Sequence, residues 1–261
     1  MVGMMPYVRP QGKKPMPPLD AEQLTGRTRT HVRELDELRC TLQPDTARAF
    51  LAMRSAAARD GLELVAASSF RDFERQLGIW NDKFRGRRPL LDRNGHALDP
   101  ARMAPLELVT AILHWSALPG ASRHHWGTEI DLVDRAALSA GERAHLIPAE
   151  YAEGGVFARL DRWLSQHAAE FGFFRPYDCD RGGVQPEPWH VSFAPVAHAA
   201  LRALTVEVLA DALRGAPLAG ADEIWPRLGA IHARYVCGVA APDAVALAAP
   251  QSGFSPVTRP S

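Results

Sequence analysis

The sequence predicts an α+β fold: a small antiparallel sheet flanked by helices and followed by a helical C-terminal extension. Of the 261 residues, 46% are hydrophobic and 23% are charged, and this ordinary globular composition is enough for a full core. Short apolar segments that predict strands lie between amphipathic segments that predict helices. Because the two kinds of segment lack the regular alternation of a parallel α/β sheet, an antiparallel sheet is expected.

The first elements are predicted to be two helices with one strand between them. A helix begins after Asp45, which can cap it, and ends at Gly61. Residues 62–67 partly alternate in hydropathy and predict a strand. Asp72 is the expected N-cap of the second helix. That helix carries Phe73, Gln76, Leu77 and Trp80.

The later elements follow a polar loop at 84–100. A helix is predicted over 105–118, since Pro119 and Gly120 would end it. Residues 157–171 are amphipathic and predict another helix. The other predicted elements are strands at 128–133, 172–174 and 189–193 and helices over 196–213 and 224–236.

Composition along the chain divides it into four parts. Residues 1–19 are rich in Pro, Gly and Met and predict a flexible arm. The main domain is predicted at 20–195. A helical extension packed on that domain follows at 196–240, and the Ala/Pro/Ser-rich residues 241–261 predict a loose tail.

The charge balance and cysteine count exclude several classes of protein. Lys plus Arg and Asp plus Glu both number 30, so nucleic acid is not expected as a partner. Three cysteines without a CxxC pair argue against both a disulfide framework and a thiolate zinc site. No apolar run approaches the ~20 residues of a membrane span. No signal peptide is visible, so the chain as written is expected in the cytoplasm, or in the cell envelope if an export signal is missing.

Two segments carry a pattern of metal ligands. The first, residues 122–131, contains two histidines and an aspartate, and the second is Glu187-Pro188-Trp189-His190. A catalytic zinc site needs three protein ligands, an open position and a nearby base. The two segments offer a His, an Asp and a His, with Glu187 three residues before the last ligand.

Two positions in this pattern have alternatives. The spacing favours His124 as the first ligand over the adjacent His125, which is expected to point outward or to line the cleft. Asp131 is favoured as the carboxylate, although Asp134 follows three residues later. Glu129 is two residues before Asp131, and residues i and i+2 of a strand share a face, so its carboxylate is expected to lie beside Asp131 and modulate the metal.

These segments resemble the SxHxxGxxxD and ExWH signatures of the D-alanyl-D-alanine carboxypeptidase/dipeptidase zinc peptidases, the family of the VanY-like vancomycin-resistance enzymes. Residues 69–76 (SFRDFERQ) are similar to the family's S-x-Y-R-S-x-x-x-Q segment, and residues 171–177 are similar to its GF-x-x-x-Y stretch. The resemblance covers residues 45–195. It implies the Hedgehog and D-Ala-D-Ala peptidase fold for the main domain.

The resemblance also implies residue roles. One zinc ion per chain would be bound by His124, Asp131 and His190. Glu187 would be the general base that activates water and later protonates the leaving amine. Arg71 would either polarise the scissile carbonyl or hold the terminal carboxylate of the substrate. Further substrate contacts are expected from Gln76, Ser122 and Tyr177.

The implied reaction is hydrolysis of a terminal peptide bond in a peptidoglycan stem peptide or precursor, usually with release of D-alanine. A D,D-dipeptidase, an L,D-carboxypeptidase and an endolysin-type endopeptidase share the zinc residues and stay open as alternatives. The loops at 84–100 and 175–186 are expected to decide among them. A zinc-stabilised cell-wall binding module is the alternative without catalysis, and it would have no need of Glu187. The oligomeric state is open.

The chain departs from the family pattern at three positions. Glu129 stands where family members often have alanine or another small residue. Phe70 and Asp72 replace the tyrosine and serine that flank the family's arginine. None of the three removes a ligand, so they bear on substrate selectivity more than on the reaction class.

Overall fold

The computed structural model describes residues 18–249. Residues 1–17 of the predicted arm and 250–261 of the predicted tail lie outside the described residues. The strands are β1 (Arg33–Leu35), β2 (Cys40–Leu42), β3 (Leu64–Ser68), β4 (Leu90–Leu91), β5 (Ala97–Leu98), β6 (Glu129–Asp134), β7 (Phe173–Phe174) and β8 (His190–Phe193). The α-helices are α1 (Ala21–Leu24), α2 (Pro44–Arg59), α3 (Phe73–Phe84), α4 (Pro105–Leu113), α5 (Pro148–Tyr151), α6 (Ala158–His167), α7 (Ala194–Ala203), α8 (Val206–Leu213), α9 (Ala221–Ile224), α10 (Leu228–Ile231) and α11 (Ala244–Ala248).

Four strands form a central antiparallel sheet in the order β3-β6-β8-β7. Every residue of β6 is buried, as expected for a strand with neighbours on both sides. In the register between β6 and β8, Asp131 lies opposite His190. Two hairpins, β1-β2 and β4-β5, lie outside this sheet. The predicted α+β class with an antiparallel sheet is confirmed.

Two apolar clusters form the core. One joins the sheet to α2 and α6, and its members include Phe50, Met53, Leu132, Trp163 and Val191. The other joins α3 and α4 to the C-terminal helices, and its members include Trp80, Ile112, Leu209, Leu213 and Ile224. Residues beyond 203 therefore complete the core around α3.

Several element boundaries differ from the predictions. Asp45 is not the cap of α2. The side chain of Gln43 accepts hydrogen bonds from the backbone N–H groups of Asp45 and Thr46, at 2.7 and 2.9 Å. The predicted polar loop at 84–100 contains the β4-β5 hairpin, and α4 ends at Leu113 rather than at 118.

The C-terminal helices are shorter than predicted. The helix predicted over 196–213 is two helices, α7 and α8, because the Thr205 hydroxyl accepts a hydrogen bond from Val208 N–H at 3.4 Å and begins a new helix. The helix predicted over 224–236 is a succession of short turns. Within the predicted tail, Asp243 caps α11, and Ala246 of that helix is buried. No helix in residues 18–249 is long and apolar enough to cross a membrane.

Candidate active site

Three buried side chains meet where β6 and β8 lie side by side. His124 belongs to a short 3-10 turn, Arg123–Trp126, which ends at Gly127 in the left-handed conformation (φ 68°) and leads directly into β6. Asp131 is the third residue of β6, and His190 is the first residue of β8. One ligand atom from each of the three lies within 4.8 Å of the others. The turn and the strand register thus bring together the three residues that the sequence predicts as metal ligands.

Hydrogen bonds orient the two imidazoles. The Nδ1 of His124 is 2.8 Å from the carbonyl oxygen of Ser69, which fixes the proton on Nδ1 and leaves Nε2 facing Asp131 Oδ2 at 3.4 Å. His190 places Nδ1 3.0 Å from Asp131 Oδ1 and Nε2 2.8 Å from Glu129 Oε2. Two imidazole nitrogens and a carboxylate therefore face one point. This donor set fits a catalytic zinc ion with one open position.

The electrostatics of the cluster favour a positive charge at this point. Burial lowers the pKa of His124 to about 3, so its imidazole is neutral and able to coordinate. Burial also opposes the charged form of His190, but its hydrogen bonds to Asp131 and Glu129 outweigh burial and raise its pKa to about 10. Burial would raise the pKa of Asp131, yet the neighbouring histidines lower it to about 2.

Glu129 supports the cluster from behind His190. Its carboxylate is fully buried and accepts hydrogen bonds from Ser192 Oγ at 2.7 Å and Thr128 Oγ1 at 2.9 Å, in addition to the contact with His190. The guanidinium of Arg123 lies 3.3 Å away and also donates to Ser192. Glu129 therefore lies on the same strand face as Asp131, as the strand period predicts, but it holds the far edge of His190 rather than adding a fourth ligand.

Glu187 lies beside the ligand set without belonging to it. Its Oε2 is 3.5 Å from His190 Nδ1. The backbone N–H of Glu187 donates to the Tyr177 carbonyl, and the His190 N–H donates to the Glu187 carbonyl, so a hydrogen-bonded turn fixes the segment. Burial raises the pKa of Glu187 to about 7, although the positive charge of His190 opposes the shift. A carboxyl group with this pKa can exchange a proton at neutral pH.

Gln76 holds Arg71 at the wall of the cleft. Its NH1 donates to Gln76 Oε1 at 2.9 Å, and the Gln76 amide donates to the Ala117 carbonyl at 2.7 Å. The buried Nε of Arg71 has no hydrogen-bond partner among the described residues. Gln76 does not line the cleft, and both its amide oxygen and its amide nitrogen form hydrogen bonds within the chain. Its contacts therefore position Arg71. The predicted substrate contact through Gln76 stays a prediction.

The site opens into a cavity of about 260 Å³. The predicted site residues that line it are Arg71, Ser122, His124, Asp131, Tyr177, Glu187 and His190. Leu91 and Val184 contribute from the loops at 84–100 and 175–186, as expected. Residues 145–147 form a wall that no sequence motif indicates.

Lys83 and Arg123 also line the cavity, and the sequence analysis did not single them out. A signal for Lys83 was available. Lys83 follows Gln76 by seven residues, so two turns of helix place both on one face. For Arg123, the position between Ser122 and His124 in the motif was the available signal.

The alternative ligands are engaged elsewhere. His125 is fully buried, so the expectation that it points outward or lines the cleft is wrong. Its Nδ1 is 2.6 Å from the Arg71 carbonyl oxygen, and its Nε2 accepts from Gly120 N–H. Asp134 accepts a hydrogen bond from the backbone N–H of Glu63 at 2.8 Å and lies outside the ligand cluster.

Two imidazoles and a carboxylate, with a buried glutamate beside them, are the groups that a metal-dependent hydrolase site requires. The family described as "VanY: D-alanyl-D-alanine carboxypeptidase" matches residues 39–196, which include every one of these groups. The chain belongs to the VanY family of D-alanyl-D-alanine carboxypeptidases. It is a metallopeptidase of the D-Ala-D-Ala class, as the sequence motifs predict.

Several relatives and solved structures are similar to this chain. An uncharacterized Haemophilus influenzae protein is 36% identical over 121 residues, which are 46% of this chain and 92% of that protein. A D-alanyl-D-alanine carboxypeptidase of Enterococcus faecalis is 28% identical over 144 residues, which are 54% of this chain and 44% of that enzyme. A structure of VanYB in complex with D-alanine-D-alanine has 24% identity and a TM-score of 0.44, covering 71% of this chain and 88% of that one. A mutant of the vancomycin-resistance D,D-pentapeptidase VanY in complex with Zn(II) has 23% identity and a TM-score of 0.45, covering 70% of this chain and 89% of that one.

Proposed function

We propose that the chain is a zinc-dependent D,D-carboxypeptidase that removes the terminal D-alanine from peptidoglycan stem peptides. The observation that carries the proposal is the position of Glu187, 3.5 Å from a ligand nitrogen of His190 and outside the ligand set. A module that only binds the cell wall would not need a base at this place. The family match supports the substrate class, and the donor set of the ligand cluster supports zinc as the metal.

Each group of site residues has its own role in the proposed reaction. Zinc held by His124, Asp131 and His190 would polarise the scissile carbonyl and lower the pKa of water. Glu187 takes the proton of the attacking water and gives it to the leaving amine nitrogen as the C–N bond breaks. Arg71 faces the negative charge that develops on the carbonyl oxygen, and Gln76 keeps its guanidinium in place.

The small volume of the cavity supports cleavage at a chain end. The cavity has a volume of about 260 Å³, and Tyr177, Val184 and residues 145–147 are among the residues that line it. This volume is below the ~300 to 1,000 Å³ of common ligand pockets, so it offers room for a terminal residue rather than for a long stretch of peptide. The small volume favours the carboxypeptidase over the endopeptidase alternative.

Mass spectrometry of a stem pentapeptide ending in D-Ala-D-Ala tests the proposal. After incubation with the zinc-loaded protein, loss of one alanine is expected, and Glu187→Ala with unchanged zinc content should produce none. Release of the dipeptide, or cleavage of the tetrapeptide alone, would replace the proposal with the dipeptidase or L,D-carboxypeptidase alternative. No cleavage of any stem peptide by the zinc-loaded protein would contradict the enzyme.

A further inference from the structure

Besides Arg71, the cations Arg123 and Lys83 line the active-site cavity. Arg123 is engaged with Glu129 and Ser192, whereas the mechanism above leaves Lys83 unused. It lies on α3 two turns after Gln76, the residue that holds Arg71. Its side chain lines the same cavity as Arg71 and Glu187. Its charge lowers the pKa of Glu187, as expected for a cation that lines the same cavity.

The ammonium group of Lys83 has no anionic partner. In residues 18–249, no carboxylate lies within 4.0 Å of its Nζ and no hydrogen bond reaches it, whereas the nearby Arg88 lies 3.6 Å from Asp82. Burial lowers the pKa of Lys83 to about 8, Glu187 partly opposes this shift, and Arg71 and Arg88 reinforce it. Lys83 is partly buried. Partial burial of a cation without a partner is unfavourable, and a bound anion lowers that cost.

The substrate of a carboxypeptidase brings an anion into this cavity. The residue that leaves carries its carboxylate just beyond the amine nitrogen that Glu187 protonates. Arg123 is already engaged with Glu129 and Ser192. Without Lys83, Arg71 would have to serve both the carbonyl oxygen and this carboxylate, and one of its nitrogens is already bonded to Gln76. Lys83 offers a separate charge, so the two tasks can be divided between two cations.

We propose that Lys83 binds the C-terminal carboxylate of the substrate and thereby restricts the site to cleavage at a free chain end, with Arg71 left to the carbonyl oxygen. The proposal rests on the proposed carboxypeptidase function. Lysine suits this role because its ammonium group offers three donors at the end of a flexible stem.

Two matched substrates test the proposal: a D-Ala-D-Ala pentapeptide with a free C-terminus and the same peptide as its C-terminal amide. We expect the wild-type enzyme to prefer the acid by about 10- to 100-fold in kcat/KM, the range of a hydrogen bond to a charged group. Lys83→Met should bring this acid-to-amide ratio close to one, mainly through KM for the acid. Because Lys83 also acts on Glu187, any change in the base affects both substrates and cancels in the ratio.

Arg85→Met is the matched control, because Arg85 is an exposed cation two residues away and does not line the cavity. It should keep the wild-type ratio, and Lys83→Arg should keep most of it. Zinc content and melting temperature verify that each variant is folded. If Lys83→Met turns over too slowly, calorimetric binding of the two peptides gives the same ratio.

The outcomes separate the two proposals. If the wild-type enzyme releases no D-alanine from the acid, the proposed function fails. If it releases D-alanine but Lys83→Met keeps the full preference for the acid, the role of Lys83 is wrong and the carboxypeptidase stands. Equal wild-type cleavage of acid and amide would also overturn the role of Lys83.

Discussion

Replacement of Glu129 by glutamine should weaken zinc binding without unfolding the protein. In the native site one carboxylate oxygen faces His190 Nε2 at 2.8 Å, and the other faces two hydroxyl groups and Arg123. Glutamine keeps only one oxygen. If that oxygen stays toward His190, the new NH₂ group faces the guanidinium of Arg123, and both are donors.

The opposite rotamer is unfavourable for a different reason. With the NH₂ group toward His190, Nε2 must lose its proton, and the proton moves to Nδ1, the atom that faces Asp131 and the metal position. Loss of a carboxylate behind a metal-binding histidine usually costs about 10- to 100-fold in metal affinity. That range equals about 1.4 to 2.7 kcal/mol, which is also the order of the cost of one unsatisfied buried polar group.

Competition with a chromophoric zinc chelator measures this effect directly. Asp134→Asn is the matched control. Asp134 is a buried residue on the same strand, but its carboxylate accepts hydrogen bonds from backbone N–H groups and does not belong to the ligand cluster. We expect Glu129→Gln to raise the zinc Kd by at least tenfold and Asp134→Asn to leave it within about twofold. A Kd for Glu129→Gln equal to that of the wild-type protein would refute the role of Glu129.

Three further predictions follow from the same geometry. Gly127→Ala should lower the free energy of unfolding by about 2 to 5 kcal/mol in chemical denaturation, because a left-handed residue would carry a Cβ against Val32; an unchanged denaturation midpoint would contradict this. The acid-to-amide preference should fall as pH rises through about 8, because Lys83 loses its proton there; a ratio constant to pH 10, measured by kcat/KM, would contradict it. Truncation after Ala203 should abolish cooperative unfolding in calorimetry, because the later helices complete the core around α3; a cooperative transition at the wild-type temperature would show that this core is dispensable.

Two local spacings in the candidate ligand cluster could be read from the sequence, whereas the pairing of Asp131 with His190 depends on the register of β6 and β8 and was implied by the family resemblance. A turn ending in glycine and a strand fix the seven-residue separation between His124 and Asp131, and a short turn fixes Glu187 relative to His190. The side-chain period of a strand likewise placed Glu129 on the face of Asp131. These relations are set within a few residues of chain, so the sequence contains them.

The walls of the cleft depend on distant parts of the chain and were harder to predict. Residues 145–147 line the cavity from the segment between β6 and α5, and no short motif predicts that position. To predict that Lys83 lines the cavity, one must also know which face of α3 lies toward Arg71, and the sequence alone does not show this. The burial of His125 depends on the Arg71 backbone, which is distant in sequence.

The predicted helix boundaries were wrong where a capping side chain, rather than the apolar pattern, decides where a helix begins. Thr205 interrupts a continuous apolar periodicity because its hydroxyl caps a new helix. At α2, Gln43 provides the capping oxygen one residue before Pro44, a role for which Asp45 is the more usual residue type. The extent of the main domain and of its C-terminal extension stays a prediction.

The most direct test of the site is a crystal structure of the zinc-loaded protein with anomalous data collected at the zinc edge. We expect one anomalous peak per chain, with His124 Nε2, the Asp131 carboxylate and His190 Nδ1 at about 2.0 to 2.2 Å and Glu187 uncoordinated. A zinc ion bound elsewhere, or coordinated by Glu187 in place of one of the three ligands, would contradict the assignment of ligands and base.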